Sequence, residues 1–213
     1  MRGAGHASGI GGLAMDPEGL PARPVDLIVV GCSAGGPPAL QAALPSIPAG
    51  TTTSVVVAQH MPNRFTALFT GRLARLCRLP VRQPRDGDTL RPGHIYIAAG
   101  GHQTTIARAE RVVLFRVRPR RPGERYSPSA DLLMRSVAHV FGRRALAVLM
   151  TGMGTDGVAG LKAIRQRKGR TIAESGETAA VFGMPRKAIR AGLADLVLPL
   201  PEIGPRMAAL CRR

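Results

Sequence analysis

The chain has 213 residues, of which 45% are hydrophobic and 20% are charged, a composition typical of a globular protein and not of a disordered one. No apolar run approaches the ~20 residues that a membrane-spanning helix needs, so we expect no membrane insertion. Thirty Lys and Arg against 13 Asp and Glu give a net charge of +17. Such a charge favours an acidic partner, but it describes association and not fold.

The three cysteines, Cys32, Cys77 and Cys211, are too few and too widely spaced for a disulfide framework or a zinc site. We therefore expect a reducing, cytoplasmic compartment and no bound metal. Residues 1–24 are rich in Gly, Ala and Pro and lack the apolar core of a secretory signal. This composition predicts a flexible tail, followed by one domain over residues 25–213.

Short apolar runs rich in β-branched residues alternate with helical patterns from Val25 onward. This alternation predicts an α/β fold with a doubly wound, mainly parallel sheet. The predicted strands are the run that starts at Val25, Ser54–Gln59, a weaker run near Val81, His94–Ala99, Ala145–Met150, Arg170–Glu174 and Asp195–Pro199. The predicted helices are Pro37–Leu44, Asn63–Leu79, Ser129–Val140, Val158–Arg167, Pro185–Ala191 and Glu202–Leu210.

Two segments depart from the simple alternation. Thr104–Val117 predicts two short strands around Ala109 and Glu110, an inserted antiparallel hairpin. The Arg- and Pro-rich stretch 116–128 predicts a loop, and Ser129 after it is the expected N-cap of the next helix.

The helix over Asn63–Leu79 has the clearest amphipathic pattern, because its apolar residues recur at helical spacing while its arginines fall elsewhere. Asn63 is its expected N-cap. The apolar positions are Phe65, Leu68, Phe69, Leu73 and Leu76.

Three strand ends carry residues with catalytic potential. Ser33 lies in Gly31-Cys32-Ser33-Ala34-Gly35, the G-x-S-x-G form of a nucleophile elbow. His60 follows the second strand, and Asp156 lies in a Gly-rich turn after the run that ends at Met150. Ligands of open α/β sheets bind outside the carboxyl ends of the strands, and a serine nucleophile needs a base with an orienting carboxylate. These residues therefore predict a serine hydrolase.

Each residue alone also has a structural interpretation. The glycines around Ser33 would suit a phosphate-binding turn, although the spacing is neither G-x-G-x-x-G nor that of a P-loop. His60 alone would often be a structural histidine, and Asp156 alone a helix N-cap. Their chain order differs from that of α/β-hydrolases, chymotrypsin and subtilisin, which disfavours a standard lipase fold.

Six segments together resemble the catalytic domain of the chemotaxis protein-glutamate methylesterases. The resemblance runs from about residue 26 to residue 200, and the combination of GxSAGG, QHMP, TGMGxDG and FGMP is specific. The segments are VVGCSAGGPPAL, VVVAQHMPNRFTALF, LRPGHIYIAAGGH, YSPSADLLMRSV, LMTGMGTDGVAGL and VFGMPRKAI.

This resemblance implies a seven-stranded α/β sheet with an antiparallel hairpin and a triad of Ser33 as nucleophile, His60 as base and Asp156 as orienting carboxylate. It implies hydrolysis of glutamate methyl esters on chemoreceptors, and deamidation of receptor glutamines, without a cofactor or metal. It also places the Met153 N–H at the oxyanion. We assign the remaining oxyanion or substrate-binding positions to Gly152 in the Gly-rich turn, to Ala34 after the nucleophile and to Met184 in FGMP.

The sequence departs from the family in two places. Fewer than thirty residues precede the first strand, so we expect a stand-alone esterase without the receiver domain of regulated members. The loop after the fourth strand reads AAGGHQT where APGGxHL is more usual, which leaves contacts by His102 open.

The expected partner is the acidic helical bundle of a chemoreceptor, which arginines of the second helix and of the 116–125 segment would steer into place. We expect the chain to act as a monomer. A different protein substrate for the same esterase is the alternative. A nucleic-acid-binding protein is a remote one, because aromatic residues are only 3% and stacking platforms are scarce.

Overall fold

The computed structural model describes residues 23–213, so the tail predicted over residues 1–24 lies almost entirely outside the described residues. The strands are β1 Leu27–Cys32, β2 Ser54–Gln59, β3 Val81–Arg82, β4 Ile95–Ile97, β5 His102–Ala109, β6 Val112–Pro119, β7 Ala145–Leu149, β8 Arg170–Glu174 and β9 Leu196–Leu198. The α-helices are α1 Gly36–Ala43, α2 Asn63–Leu76, α3 Ala130–Phe141, α4 Val158–Gln166, α5 Met184–Arg190 and α6 Leu200–Ala209.

Seven strands form one parallel sheet in the order β3-β4-β2-β1-β7-β8-β9, which confirms the predicted fold class. The chain moves outward from β1 to one edge and then returns to build the other half from β7. β1 therefore lies at the centre, between β2 and β7. Strands β5 and β6 form a separate two-stranded antiparallel hairpin beside the main sheet, and β6 also makes an isolated bridge from Leu114 to Thr89.

Apolar side chains cover both faces of the sheet, which explains why its central strands are continuous apolar runs. One face packs against α1, α2 and α6, through residues such as Leu40, Leu73 and Met207. The other face packs against α3 and α4, through Leu133 and Leu161, together with α5 and the hairpin. None of the helices in residues 23–213 is long and apolar enough to cross a membrane.

Three local predictions need correction. The N-cap of α2 is Pro62 and not Asn63, because Pro62 has extended backbone dihedrals and Asn63 is already helical. The loop predicted from residue 116 starts later, since β6 continues to Pro119. The apolar pattern of α2 is also only partly buried: Phe69 lies in the core, whereas Leu68 is 74% exposed. By contrast, Ser129 is the N-cap of α3, as predicted.

Candidate active site

The strand register places the ends of β1, β2 and β7 side by side. Cys32 pairs with Gln59, and the next residues along the two strands are Ser33 and His60. The backbone N–H of His60 donates to the Cys32 carbonyl at 3.0 Å, and the backbone N–H of Ser33 donates to the Thr151 carbonyl at 2.9 Å. Ser33 therefore occupies the middle of the carboxyl edge, between the segments that carry His60 and Asp156.

A tight turn follows Ser33 and leads into α1. Gly35 has a φ of 79°, and a Cβ at this position would lie 2.6 Å from the Cβ of Ala180. Only glycine accepts this conformation without strain. The turn lets Ser33 leave the strand end while the N-terminus of α1 begins three residues later, the arrangement expected of a nucleophile elbow.

The buried Gln59 side chain joins the two strand ends. Its amide nitrogen donates to the Ser33 carbonyl at 2.9 Å and to the His60 carbonyl at 2.8 Å. Its amide oxygen accepts a hydrogen bond from the Cys32 thiol at 3.1 Å. Burial raises the pKa of that thiol, so Cys32 stays protonated as a donor beside the nucleophile. Gln59 therefore fixes the backbone of Ser33 relative to that of His60.

His60 and Asp156 form the hydrogen bond that a base and its orienting carboxylate require. The His60 Nε2 lies 2.7 Å from the Asp156 Oδ2, and the His60 side chain is 15% exposed. Because Nε2 faces the carboxylate, Nδ1 is the ring nitrogen left to accept a proton from Ser33. The pair supplies the tautomer control that general-base catalysis by histidine needs.

The first turn of α3 holds the Asp156 carboxylate. The Ser129 hydroxyl donates to Oδ1 at 2.9 Å, the Asp131 N–H donates to Oδ1 at 2.9 Å, and the Ala130 N–H donates to Oδ2 at 2.6 Å. Burial alone would raise the pKa of Asp156, but these donors and His60 outweigh it, so that the pKa is lowered. Asp156 is therefore held as a buried anion at a helix N-terminus.

Two of the backbone N–H groups predicted to bind an oxyanion have no internal acceptor in the described part of the chain. Those of Ala34 and Met153 donate to no other group within residues 23–213, and the Met153 side chain is 74% exposed. Gly152 is not a third donor, because its N–H donates to the Val181 carbonyl at 2.9 Å. Met184 has no exposed surface and packs against Gly152, which contradicts direct contact with substrate.

Tyr126 forms the outer wall of the site. Its ring stacks on the His60 ring with centroids 4.9 Å apart and planes inclined by 12°, and the Arg125 guanidinium lies 5.3 Å from the Tyr126 centroid. Gly154 has a φ of 106°, and a Cβ there would lie 2.4 Å from the Tyr126 hydroxyl. An open cavity of about 470 Å³ lies against this wall, lined by residues that include His60 and Arg120.

Sequence reasoning missed the contributions of Gln59 and Tyr126. Both lie in the quoted segments QHMP and YSPSAD, but nothing in their local pattern shows that one spans two strands and the other stacks on a histidine 66 positions away. Ser129 was predicted as the N-cap of α3, whereas its hydrogen bond to Asp156 was not predicted. Within residues 23–213, no group of three or more His, Cys, Asp or Glu side chains could hold a metal ion.

The family model described as CheB methylesterase matches residues 28–207 of this chain. The chain belongs to the CheB methylesterase family. The crystal structure of the Thermotoga maritima CheB methylesterase catalytic domain superposes with a TM-score of 0.84 at 34% identity, covering 87% of this chain and 98% of that one. The resemblance stated from the sequence motifs is thereby confirmed.

Curated relatives in this CheB methylesterase family carry two activities in their names. The protein-glutamate methylesterase/protein-glutamine glutaminase 1 of Myxococcus xanthus is 44% identical over 191 residues, which are 90% of this chain and 55% of the relative. The corresponding protein 6 of Anaeromyxobacter dehalogenans is 44% identical over 206 residues, or 95% of this chain and 58% of the relative. The chain thus spans little more than half the length of these relatives.

Proposed function

We propose that the chain hydrolyses glutamate methyl esters on the cytoplasmic helices of chemoreceptors, with Ser33 as nucleophile. The observation that carries the proposal is the hydrogen bond between His60 and a buried, ionised Asp156, placed at the strand edge where Ser33 begins its turn. Membership of the CheB methylesterase family supports the proposal that glutamate methyl esters are the substrate. All three residues belong to one chain, so the site needs no second subunit and the chain is proposed to act as a monomer.

In the acylation step the Ser33 Oγ attacks the ester carbonyl carbon while His60 Nδ1 takes the hydroxyl proton. The negative charge moves to the carbonyl oxygen, where the N–H groups of Ala34 and Met153 stabilise it. The tetrahedral intermediate collapses, and protonated His60 returns the proton to the departing methoxide. Methanol leaves, and the glutamyl group remains on Ser33 as an ester.

In the second step, water attacks the acyl-enzyme carbonyl and gives a proton to His60, which acts again as the base. His60 returns the proton to the Ser33 oxygen, and the receptor's glutamate side chain leaves as a carboxylate. Asp156 stabilises the imidazolium in both steps. A glutamine side chain can enter the same sequence with ammonia in place of methanol as the leaving group. This chemistry fits the second activity in the relatives' names, and we propose it for this chain as well.

The test is methanol release from a methylated receptor fragment by the wild-type chain, by Ser33→Ala and by Ser46→Ala. Ser46 is exposed in the short 3-10 helix that follows α1 and serves as the matched control. Ser33→Ala is expected to lose activity by at least about 10³-fold, while Ser46→Ala retains it. Equal rates for Ser33→Ala and wild type would refute the role of Ser33. Release from other methylated proteins but not from receptor fragments would instead assign a different partner.

A further inference from the structure

Helix α2 starts three residues after His60 and leaves several large apolar side chains exposed to solvent. The large hydrophobic residues exposed within residues 23–213 number six, and three of these, Phe65, Leu68 and Leu76, lie in α2. A fourth, Met153, lies in the Gly-rich turn that also carries Asp156. Scattered exposed apolar residues need no explanation, but a cluster that continues into an active site indicates an interaction surface.

The exposed large apolar residues of α2 fall on one stripe along the helix. Leu68, Arg72 and Leu76 are spaced by four residues and therefore lie on one face, which corrects the expectation that the arginines of this helix fall away from its apolar positions. Phe65 continues the stripe one turn toward the site. The Arg64 guanidinium lies 4.8 Å from the centre of the Phe65 ring. With a rise of ~1.5 Å per residue, the span from Phe65 to Leu76 makes this surface about 17 Å long, the length of about three turns of a second helix.

The charge of α2 has one sign. The helix holds Arg64, Arg72 and Arg75 and no acidic residue. In the part of the chain that the structure describes, none of the three forms an ion pair. Arg120 and Arg125 line the cavity at the His60 end and extend the positive surface across the site. An acidic partner meets cations here that no internal carboxylate neutralises.

We infer that the stripe of Phe65, Leu68, Arg72 and Leu76 is a docking surface for an acidic amphipathic α-helix, the helix that carries the substrate side chain. The inference rests on the proposed function and adds the place where the substrate protein binds. Apolar residues of the partner cover Leu68 and Leu76, and its carboxylates pair with the arginines. A second copy of this chain is a poor occupant, because it would bring arginines against arginines.

The test compares two double variants of the 213-residue chain, each of which replaces one exposed aliphatic residue and one arginine by serine. Leu68→Ser with Arg72→Ser alters the stripe. Val112→Ser with Arg111→Ser is the matched control, because both residues are exposed at the tip of the β5–β6 hairpin. They line a separate cavity, together with Asp26 and Thr52, two residues that precede β1 and β2. Two substrates are used, a methylated acidic helical receptor fragment and p-nitrophenyl acetate, which is too small to reach α2.

The readout is the ratio of kcat/KM for the fragment to that for the small ester. In the stripe variant this ratio is expected to fall at least tenfold, through a higher KM for the fragment, and in the hairpin variant it is expected to stay within twofold of wild type. The wild-type ratio should also fall with added salt, because the arginine contacts are exposed. An unchanged ratio in the stripe variant, or an equal fall in both variants, would overturn the docking surface.

A binding measurement separates this inference from the proposed function. Fluorescence anisotropy of a labelled, unmethylated fragment reports docking even if no methanol is ever released. Weaker binding by the stripe variant alone supports the surface. Equal binding of the fragment by wild type, the stripe variant and the hairpin variant refutes the docking surface. So would binding of mixed-sequence DNA or anionic vesicles that depends on the stripe, if the fragment does not bind.

Discussion

Helices α2 and α3 both begin beside the catalytic pair, but they use their apolar residues in opposite ways. Seven of the twelve residues of α3 are buried, and its first turn donates three hydrogen bonds to Asp156. Only three of the fourteen residues of α2 are buried, and Leu68 is 74% exposed. Two helices with similar apolar periodicity therefore differ in function. The buried apolar face of α3 anchors the helix whose N-terminus holds Asp156, whereas the apolar face of α2 is left largely exposed.

The largest expected effect follows from removing the charge that α3 holds. Asp156→Asn is expected to lower kcat by about 10⁴-fold, because an amide cannot stabilise the imidazolium and favours the wrong tautomer. Steady-state methanol release measures it. Glu202→Gln is the control, since Glu202 is exposed in the first turn of α6, which packs on the face of the sheet opposite α3. A loss below tenfold for Asp156→Asn would show that the Asp156 carboxylate is not part of the mechanism.

The next effect concerns stability and contrasts the helices directly. Leu133 in α3 is fully buried, so Leu133→Ala is expected to lower the free energy of unfolding by about 2–5 kcal/mol. Leu68→Ala in α2 is expected to change it by no more than about 0.5 kcal/mol. Urea denaturation of both variants makes the comparison. A loss for Leu68→Ala that matched that for Leu133→Ala would mean that α2 packs its stripe against the protein.

The smallest effect is at the Ser129 hydroxyl, which caps α3 and binds Asp156. Ser129→Ala is expected to cost about 1 kcal/mol of stability at neutral pH as a lost N-cap, together with part of the stabilisation of ionised Asp156. Because the folded pKa of Asp156 is lowered, that second part is present above the unfolded pKa of about 3.9 and is lost as the pH falls through the folded pKa.

The difference in stability between wild type and Ser129→Ala should therefore shrink on acidification from pH 7 to below the folded pKa of Asp156. Only the contribution of the N-cap should remain there. Chemical denaturation across this pH range measures the change. A difference that stayed constant with pH would show that the Ser129 hydroxyl acts on the helix alone.

Sequence patterns predicted the parts of the fold that depend on contiguous residues. Strand β2 was predicted residue for residue at Ser54–Gln59, because a buried parallel strand is a continuous apolar run. Ser33, His60 and Asp156 could be selected together, since parallel strands bring their carboxyl ends to one edge. Whether these three residues carry the reaction remains a prediction.

What the sequence could not show depends on contacts between distant segments. The pattern of α2 reports that one face is apolar, but not that the sheet reaches only part of that face. The N–H of Gly152 is already bonded to a segment 29 residues away, at Val181, which a Gly-rich turn alone does not reveal. Likewise, Gln59 and Tyr126 act through side chains whose partners are set only by the packed fold.

The strand order also has a consequence for how the protein opens. The reacting groups follow β2, β1 and β7, the three central strands, whereas the edge strands β3 and β9 contain two and three residues. Opening edge strands of this length costs little free energy, and the amide hydrogens of central strands exchange with solvent last. Partial opening at either edge leaves the spacing of Ser33 and His60 intact. Catalytic competence should thus persist on warming until the whole sheet melts.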